Sequence, residues 1–455
     1  MTAPKTTSMP ATSHLLGPRQ RRRLERRGIL KRIVSNGTVA AAVMVLAAVA
    51  AVVVANTPAY AVVHDILGMP LGLSLGGISV SITVEAFIND FLMALFFLLV
   101  GIELRYEMCV GELTRPRQAM LPMLAAVGGV VVPAAIYAVV NRGGAVGGWA
   151  IPMATDIAFA LGVLSLLGDR VPAGVRVFFS TLAIADDLLS IVAIALFYGH
   201  APNLAWLAVA GAITGVLVLL NKTHHYRLAP YLVLGALLWL SVYLSGVHAT
   251  IAGVVLAFCV PADSGLRLDE LEGWLHRALP ETMDRYDDGA HILRQHDFTC
   301  ATMEVERVMH RVAPPLERLE LRISTFVNFV VLPLFAFANA QVRLVGVDLG
   351  ALVVDPVTLG TYFGMLLGKP VGIVGVTYLL VRLGVAELPK NVGRRHMVGV
   401  GILGGIGFTM SILIAGLAFP AAPAEVLAAK TAILAGSVTA AVIGVGYMAM
   451  ACRKR

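Results

Sequence analysis

Charged side chains are scarce in this 455-residue chain: Asp, Glu, Lys and Arg make up 14% of it, where a soluble protein carries about a quarter. The apolar share is 58% and the mean hydropathy is +0.82. So few charges cannot coat a water-facing surface, which excludes a soluble multidomain enzyme and a disordered protein. Cysteine is also rare. Cys109, Cys259, Cys300 and Cys452 form no CxxC pair and show no metal-ligand spacing, so a disulfide-built secreted module is excluded as well. Aromatic residues are 7% of the chain and interleave with no basic stripe, so the formal charge of +7 is no sign of a nucleic-acid partner. The class that remains is a membrane protein.

A helix needs roughly 20 apolar residues to cross a bilayer. That ruler predicts about twelve spans, at 37–56, 84–105, 119–140, 149–167, 175–197, 204–220, 229–244, 247–260, 323–340, 358–380, 397–418 and 426–450. The seventh and eighth are short. Between the first and second, MPLGLSLGGISVSIT alternates and carries glycines, which predicts an extracytoplasmic hairpin. The segment RQRRRLERRGILKR resembles a long signal-peptide n-region, but the run after it has the length of a full span and no obvious small-residue cleavage site. The expectation is a retained first helix preceded by a basic, disordered cytoplasmic tail over residues 1–35.

Of the 35 Lys and Arg, 31 lie in the tails or at every second connection between spans. This alternation places both termini in the cytoplasm and all four cysteines at or near that side, where thiols stay reduced. The connection 261–322 is different in kind. It holds thirteen of the 28 acids, eight Arg and four His (His276, His291, His296 and His310), with periodic leucines in LRLDELEGWLHRAL. One or two amphipathic helices on the cytoplasmic face are expected, serving either as a solvated linker or as a pH-sensing element.

Ionisable groups deep in a span point to function, because lipid makes them expensive. Asp156, the adjacent Asp186 and Asp187, and Lys369 all lie inside apolar runs. One lysine cannot neutralise two adjacent aspartates as well as a third. Successive helical residues point about 100° apart, so one of the pair can meet a lysine while the other faces a cavity. Carboxylates bind small hard cations and also protons, and desolvation or a like charge raises a carboxylate's pKa in general. Competition between a cation and protons is what ion exchange needs, and no covalent step or cofactor is called for. The span 149–167 carries Pro152 and Thr155-Asp156, and the span 397–418 carries four glycines between Gly401 and Gly407. Both read as interrupted helices, and paired interruptions mark transporter sites. Facing half-helix N-termini would be offset by Asp156 and the C-termini by Lys369.

The segments FFLLVGIEL (96–104), ATDIAFALGVLSLLGDRVP (154–172), LAIADDL (182–188), SGVHATIAG (245–253), PLFAFANA (333–340), LLGKPVGI (366–373) and GILGGIGFTMSI (401–412) closely resemble the bacterial NhaA-type sodium/proton antiporters. The resemblance runs in order over roughly residues 36–450, leaving out the basic tail and most of 263–312. It implies an all-α twelve-helix membrane domain with an inverted-repeat core, spans 3–5 against 10–12, and broken helices 4 and 11 crossing near the midplane. It implies that Asp186 and Asp187 carry the Na⁺ or Li⁺ and the exchanged protons, that Lys369 pairs with Asp186 in the sodium-free site, and that Thr155 and Asp156 sit at the crossing. Glu320, Glu103 and His248 are implied as pH-sensing positions, and a homodimer through the hairpin is implied as well. Tyr106, Leu244 and the His-free LELRIST depart from residues common in the family, so its pH profile does not carry over.

The expectation is an electrogenic, pH-regulated Na⁺(Li⁺)/H⁺ antiporter of the bacterial cytoplasmic membrane, extruding sodium for external protons by alternating access. Two protons per cation follow from two carboxylates competing for one monovalent ion, a count the resemblance strengthens. One rival is an intramembrane aspartyl protease, in which paired aspartates share a proton and activate water. That chemistry needs two Asp on facing helices, and the nearest second motif puts Asp169 in a loop. A passive cation channel would need a ring of repeated filter residues, which the sequence lacks.

Overall fold

Long apolar runs leave the backbone one local solution in lipid, because every N–H and C=O must be satisfied within the segment. The structure, a computed structural model, describes residues 37–453 except 76, 77, 112, 113, 115, 200, 201, 265, 390 and 391. The basic tail expected over 1–35 lies outside the described residues.

Twelve helical segments follow the predicted spans in order. They are Gly37–Ala55, Val84–Cys109, Pro116–Val140, Val146–Met153 with Ile157–Ser165, Ala173–Phe197, Leu204–Lys222, Leu228–Leu244, Ile251–Cys259, Pro315–Asn339, Pro356–Arg382, Arg394–Gly404 with Phe408–Ala418, and Pro423–Ala451. Nine are long and apolar enough to cross a membrane, or ten if the bent pair counts as one span. Leu228–Leu244 has 17 residues and spans about 26 Å at 1.5 Å per residue. The eighth is shorter than expected. Ile251–Cys259 has nine helical residues, because 246–250 form turns before it. With twelve crossings, the connections rich in Arg and Lys and both ends of the helical region share one face, here called the basic face.

The ninth span starts earlier than its hydropathy suggests. Pro315 opens a helix that buries Leu316 and Leu319 on one side, so Glu320 lies inside the span's first turns rather than ahead of it. Strands β1 (Pro70–Leu75) and β2 (Ile78–Thr83) pair antiparallel from Pro70↔Thr83 to Leu75↔Ile78, giving the expected hairpin. The charged connection forms the two expected amphipathic helices, Leu268–Met283 and His296–Val312, packed against each other. Buried Gln295 ties the chain between them, accepting from Asp287 N and donating to Asp287 O and Ala290 O. The four cysteines are free.

The third and tenth spans pack closely along each other. The third also packs on the fourth and fifth, and the tenth and eleventh pack on the twelfth. Each partner in 3/10, 4/11 and 5/12 is seven crossings from the other, so paired members run in opposite directions, as an inverted repeat requires. Close approach of the third and tenth spans depends on small residues, as is usual between membrane helices. A Cβ on Gly372 would sit 2.1 Å from Gly128 O, and one on Gly368 would sit 2.7 Å from the Cα of Pro133. Between Gly364 and Gly368 the tenth span opens into a π turn, immediately before Lys369-Pro370. The wider turn accommodates a proline that would otherwise clash with the preceding turn.

This contact yields a stability prediction. Gly372→Ala forces the third and tenth spans apart and should lower the melting temperature in detergent, by the equivalent of about 1–3 kcal/mol. Gly375→Ala, where a Cβ meets nothing within 4 Å, is the control and should leave it unchanged. Thermal unfolding followed by fluorescence-detected gel filtration measures both.

Candidate functional site

The fourth span breaks at Ala154–Asp156 into extended backbone and the eleventh breaks at Gly405–Gly407, and the two breaks cross each other. The eleventh bends by 44° there. Its first half is α-helix, whereas the first half of the fourth, which contains Pro152, is a tighter 3₁₀ helix. A Cβ on Gly407 would lie 2.6 Å from Ala154 O, so the crossing is backbone on backbone.

Hydrogen bonds stitch the crossing. Asp156 N donates to Ile406 O at 2.6 Å, Thr155 Oγ1 to Gly404 O at 2.8 Å, and Ser411 Oγ to Ile151 O at 2.7 Å. Asp156 is the N-cap of Ile157–Ser165, its Oδ1 accepting from Phe159 N at 2.9 Å. Its Oδ2 accepts from Thr409 N at 3.1 Å and Thr409 Oγ1 at 2.6 Å, in the first turn of Phe408–Ala418. One carboxylate thus satisfies orphan donors at two half-helix N-termini and sits in both positive ends. The sequence by itself assigns Thr409 and Ser411 no role. Their signal was hydroxyls placed directly after a glycine break.

Lys369 sits in the same layer. Its Nζ donates to Thr155 Oγ1 at 3.0 Å and to Asp186 Oδ2 at 2.6 Å. It therefore reaches the C-terminal carbonyl of Arg394–Gly404 through the Thr155 hydroxyl, as a relay instead of a direct contact. Lys369, Asp186 and Asp187 are each 1% exposed, Asp156 3% and Thr155 0%.

The fifth span, Ala173–Phe197, is helical throughout and carries Asp186 and Asp187 on adjacent bearings. Asp186 turns to Lys369. Neither oxygen of Asp187 has a hydrogen-bond partner, and the second oxygen of Asp186 and the hydroxyl of Ser190 are in the same condition. Asp187 lies in the field of Asp186, Asp156, Glu103 and Lys369. The structure thus brings together Thr155, Asp156, Asp186, Asp187 and Lys369, with three carboxyl groups against one ammonium. Neighbours on one helix, one of them held by a lysine, do not form the facing pair an aspartyl protease uses, and that alternative finds no support.

The remaining predicted positions divide. Glu103 lies towards the basic-face end of the second span, in the field of Glu320 and Glu107. Two residues on, Arg105 bonds to Ala257 O and Phe258 O at the C-terminal end of the eighth helix. His248 precedes the other end of that helix, its carbonyl accepting from Ile251 N. The structure therefore groups Glu103 with Glu320 and sets His248 apart, towards the opposite face.

Comparison with known proteins agrees with this architecture. Residues 31–448 match the family Na⁺/H⁺ antiporter 1. The chain is 43% identical over 408 residues to the Na⁺/H⁺ antiporter NhaA of Oleidesulfovibrio alaskensis, covering 90% of each chain. It is 43% identical over 411 residues to that of Mesorhizobium japonicum, covering 90% of this chain and 91% of the relative. The Pseudomonas putida protein of the same name is 42% identical over 414 residues, covering 90% of this chain and 94% of its own. A twelve-helix membrane protein with its carboxylates gathered where two broken helices cross, this chain belongs to the Na⁺/H⁺ antiporter 1 family.

Proposed function

We propose that the protein exchanges Na⁺ or Li⁺ from the cytoplasm for external protons across the bacterial cytoplasmic membrane. The observation that carries this reading is the buried, unpartnered Asp187 carboxyl beside a closed Lys369–Asp186 pair. A buried charge without a partner is strongly disfavoured, so Asp187 holds either a proton or a cation, and each excludes the other.

Because Asp186 is paired with Lys369, the second proton comes in this reading from the pair and not from a protonated Asp186, as two competing carboxylates would imply. When a cation draws the oxygens of Asp186 and Asp187 to itself, Lys369 loses its counter-charge in a low-dielectric layer, and its ammonium proton leaves. Two protons then exchange for one monovalent cation, moving net charge and making transport electrogenic. The broken helices cradle the site with fixed dipoles, and rocking of the 3–5/10–12 core past the other spans alternates its access. In this reading the basic face is cytoplasmic, following the excess of Lys and Arg there, and both termini lie on that side. Glu103 and Glu320 then form a pH-responsive cluster at the cytoplasmic end, and the connection 261–322 is a cytoplasmic insertion in the domain 36–450. The hairpin presents unpaired strand edges, which suit pairing with a second copy into a homodimer.

Proteoliposomes with an imposed pH gradient test the exchange. Adding Na⁺ or Li⁺ should dissipate the gradient, and Asp187→Asn should insert normally yet show no cation-dependent proton movement above empty liposomes. Retained exchange in that variant would remove Asp187 from the site. Lys369→Ala should drop the proton count towards one per cation, read as loss of the response of flux to an imposed membrane potential. An unchanged response would count against the lysine as proton carrier.

A further inference from the structure

Hydroxyls inside these helices have a standard way to satisfy themselves. Thr181, Thr214, Ser241, Thr377, Thr431 and Thr439 each donate to the carbonyl four residues back. Ser190 is 0% exposed and its Oγ has no hydrogen-bond partner. Buried Thr361 and Ser437 share that condition, but they lie on the tenth and twelfth spans. Ser190 follows Asp187 by three residues and Asp186 by four on one uninterrupted helix, which puts the three side chains on neighbouring bearings about one turn apart.

The buried side-chain oxygens of the fifth span without a partner are therefore Asp186 Oδ1, both oxygens of Asp187 and Ser190 Oγ. All are hard donors of the kind alkali cations prefer, and a hydroxyl lone pair coordinates a cation without adding negative charge. We infer that Ser190 is a coordinating residue of the transported cation and sets its preference between Na⁺ and Li⁺. This rests on the antiport reading and adds to it a neutral ligand one turn beyond the carboxylates. Li⁺, the smaller ion, is satisfied by fewer oxygens than Na⁺, so the serine matters more to Na⁺. Since the hydroxyl takes up no proton in the cycle, it acts on the cation side alone.

The test measures cation-driven proton flux in proteoliposomes of the full-length chain for wild type, Ser190→Ala and Ser190→Cys. Cysteine keeps nearly the size of serine but replaces a hard oxygen with soft sulfur. Both variants should raise the KM for Na⁺ by about tenfold, the ratio expected from losing one contact as strong as a charge-assisted hydrogen bond. The KM for Li⁺ should rise less, while the maximal rate and the pH of half-maximal exchange at saturating cation stay at wild-type values. If both variants keep the wild-type KM values and Na⁺/Li⁺ ratio, or if cysteine behaves as serine while alanine does not, the hydroxyl is not a cation ligand. Equal losses of maximal rate for both ions, with unchanged KM, would make Ser190 a packing residue and overturn the inference while leaving antiport intact. No cation-driven proton flux in the wild type would overturn the antiport reading and this inference with it.

Discussion

The crossing depends on Asp156 meeting two helix beginnings at once. Breaking a helix inside lipid strands backbone donors and acceptors at every new end, and no water is at hand to satisfy them. Here two breaks lie against each other, so the donors of both half-helices converge on one carboxylate and an extended stretch of one span bonds to the other. The arrangement holds only because both spans break at one depth. Intact helices would turn their backbone groups inward and leave Asp156 with nothing to neutralise it, and the crossing without Asp156 would leave two positive ends facing each other. The charge, the breaks and the pairing of repeats are one constraint seen from three sides.

Lys369 enters this layer because of how the tenth span is built. Gly368 and Gly372 let that span lie directly on the third, and the π turn at Gly364–Gly368 resets the helix before Pro370. The ammonium then reaches both Thr155 of the fourth span and Asp186 of the fifth. One side chain thereby links three helices of the two repeats. Thr155 relays the link to the eleventh span, since its hydroxyl accepts from the lysine and donates to Gly404 O. A change in the charge of Lys369 or Asp186 is therefore felt at the helix crossing.

Much of this was legible in the chain itself, because lipid leaves so few ways to fold. The order of the spans follows from apolar length, the hairpin from alternation between Met69 and Thr83, and the two breaks from Pro152 and the glycines 401–407. The exposed charge pattern of 266–279 reads directly as an amphipathic helix. What the sequence hid has a common cause: it depends on partners distant in the chain. The early start of the ninth span at Pro315 is stabilised by burying Leu316 and Leu319, which hydropathy reads as a charged loop. The Gly368 and Gly372 contacts look like ordinary membrane glycines until Pro133 and Gly128 are placed against them. Thr409 is one hydroxyl among many until Asp156 arrives 253 residues away in sequence. Ser190 is the reverse case, visible only because a partner that other hydroxyls find is missing.

The spacing of acids along the second and ninth spans bears on how the basic face addresses the exchange layer. Glu103 lies in the field of Glu320, and Asp187 lies in the field of Glu103. No side chain need move for the two to interact, because charges separated by protein and lipid are poorly screened and act over longer distances than they would in water. On the proposed antiport reading, a proton gained or lost at Glu103 changes the potential at Asp187, and with it the balance between holding a proton and holding a cation. His248 precedes the opposite end of the eighth helix.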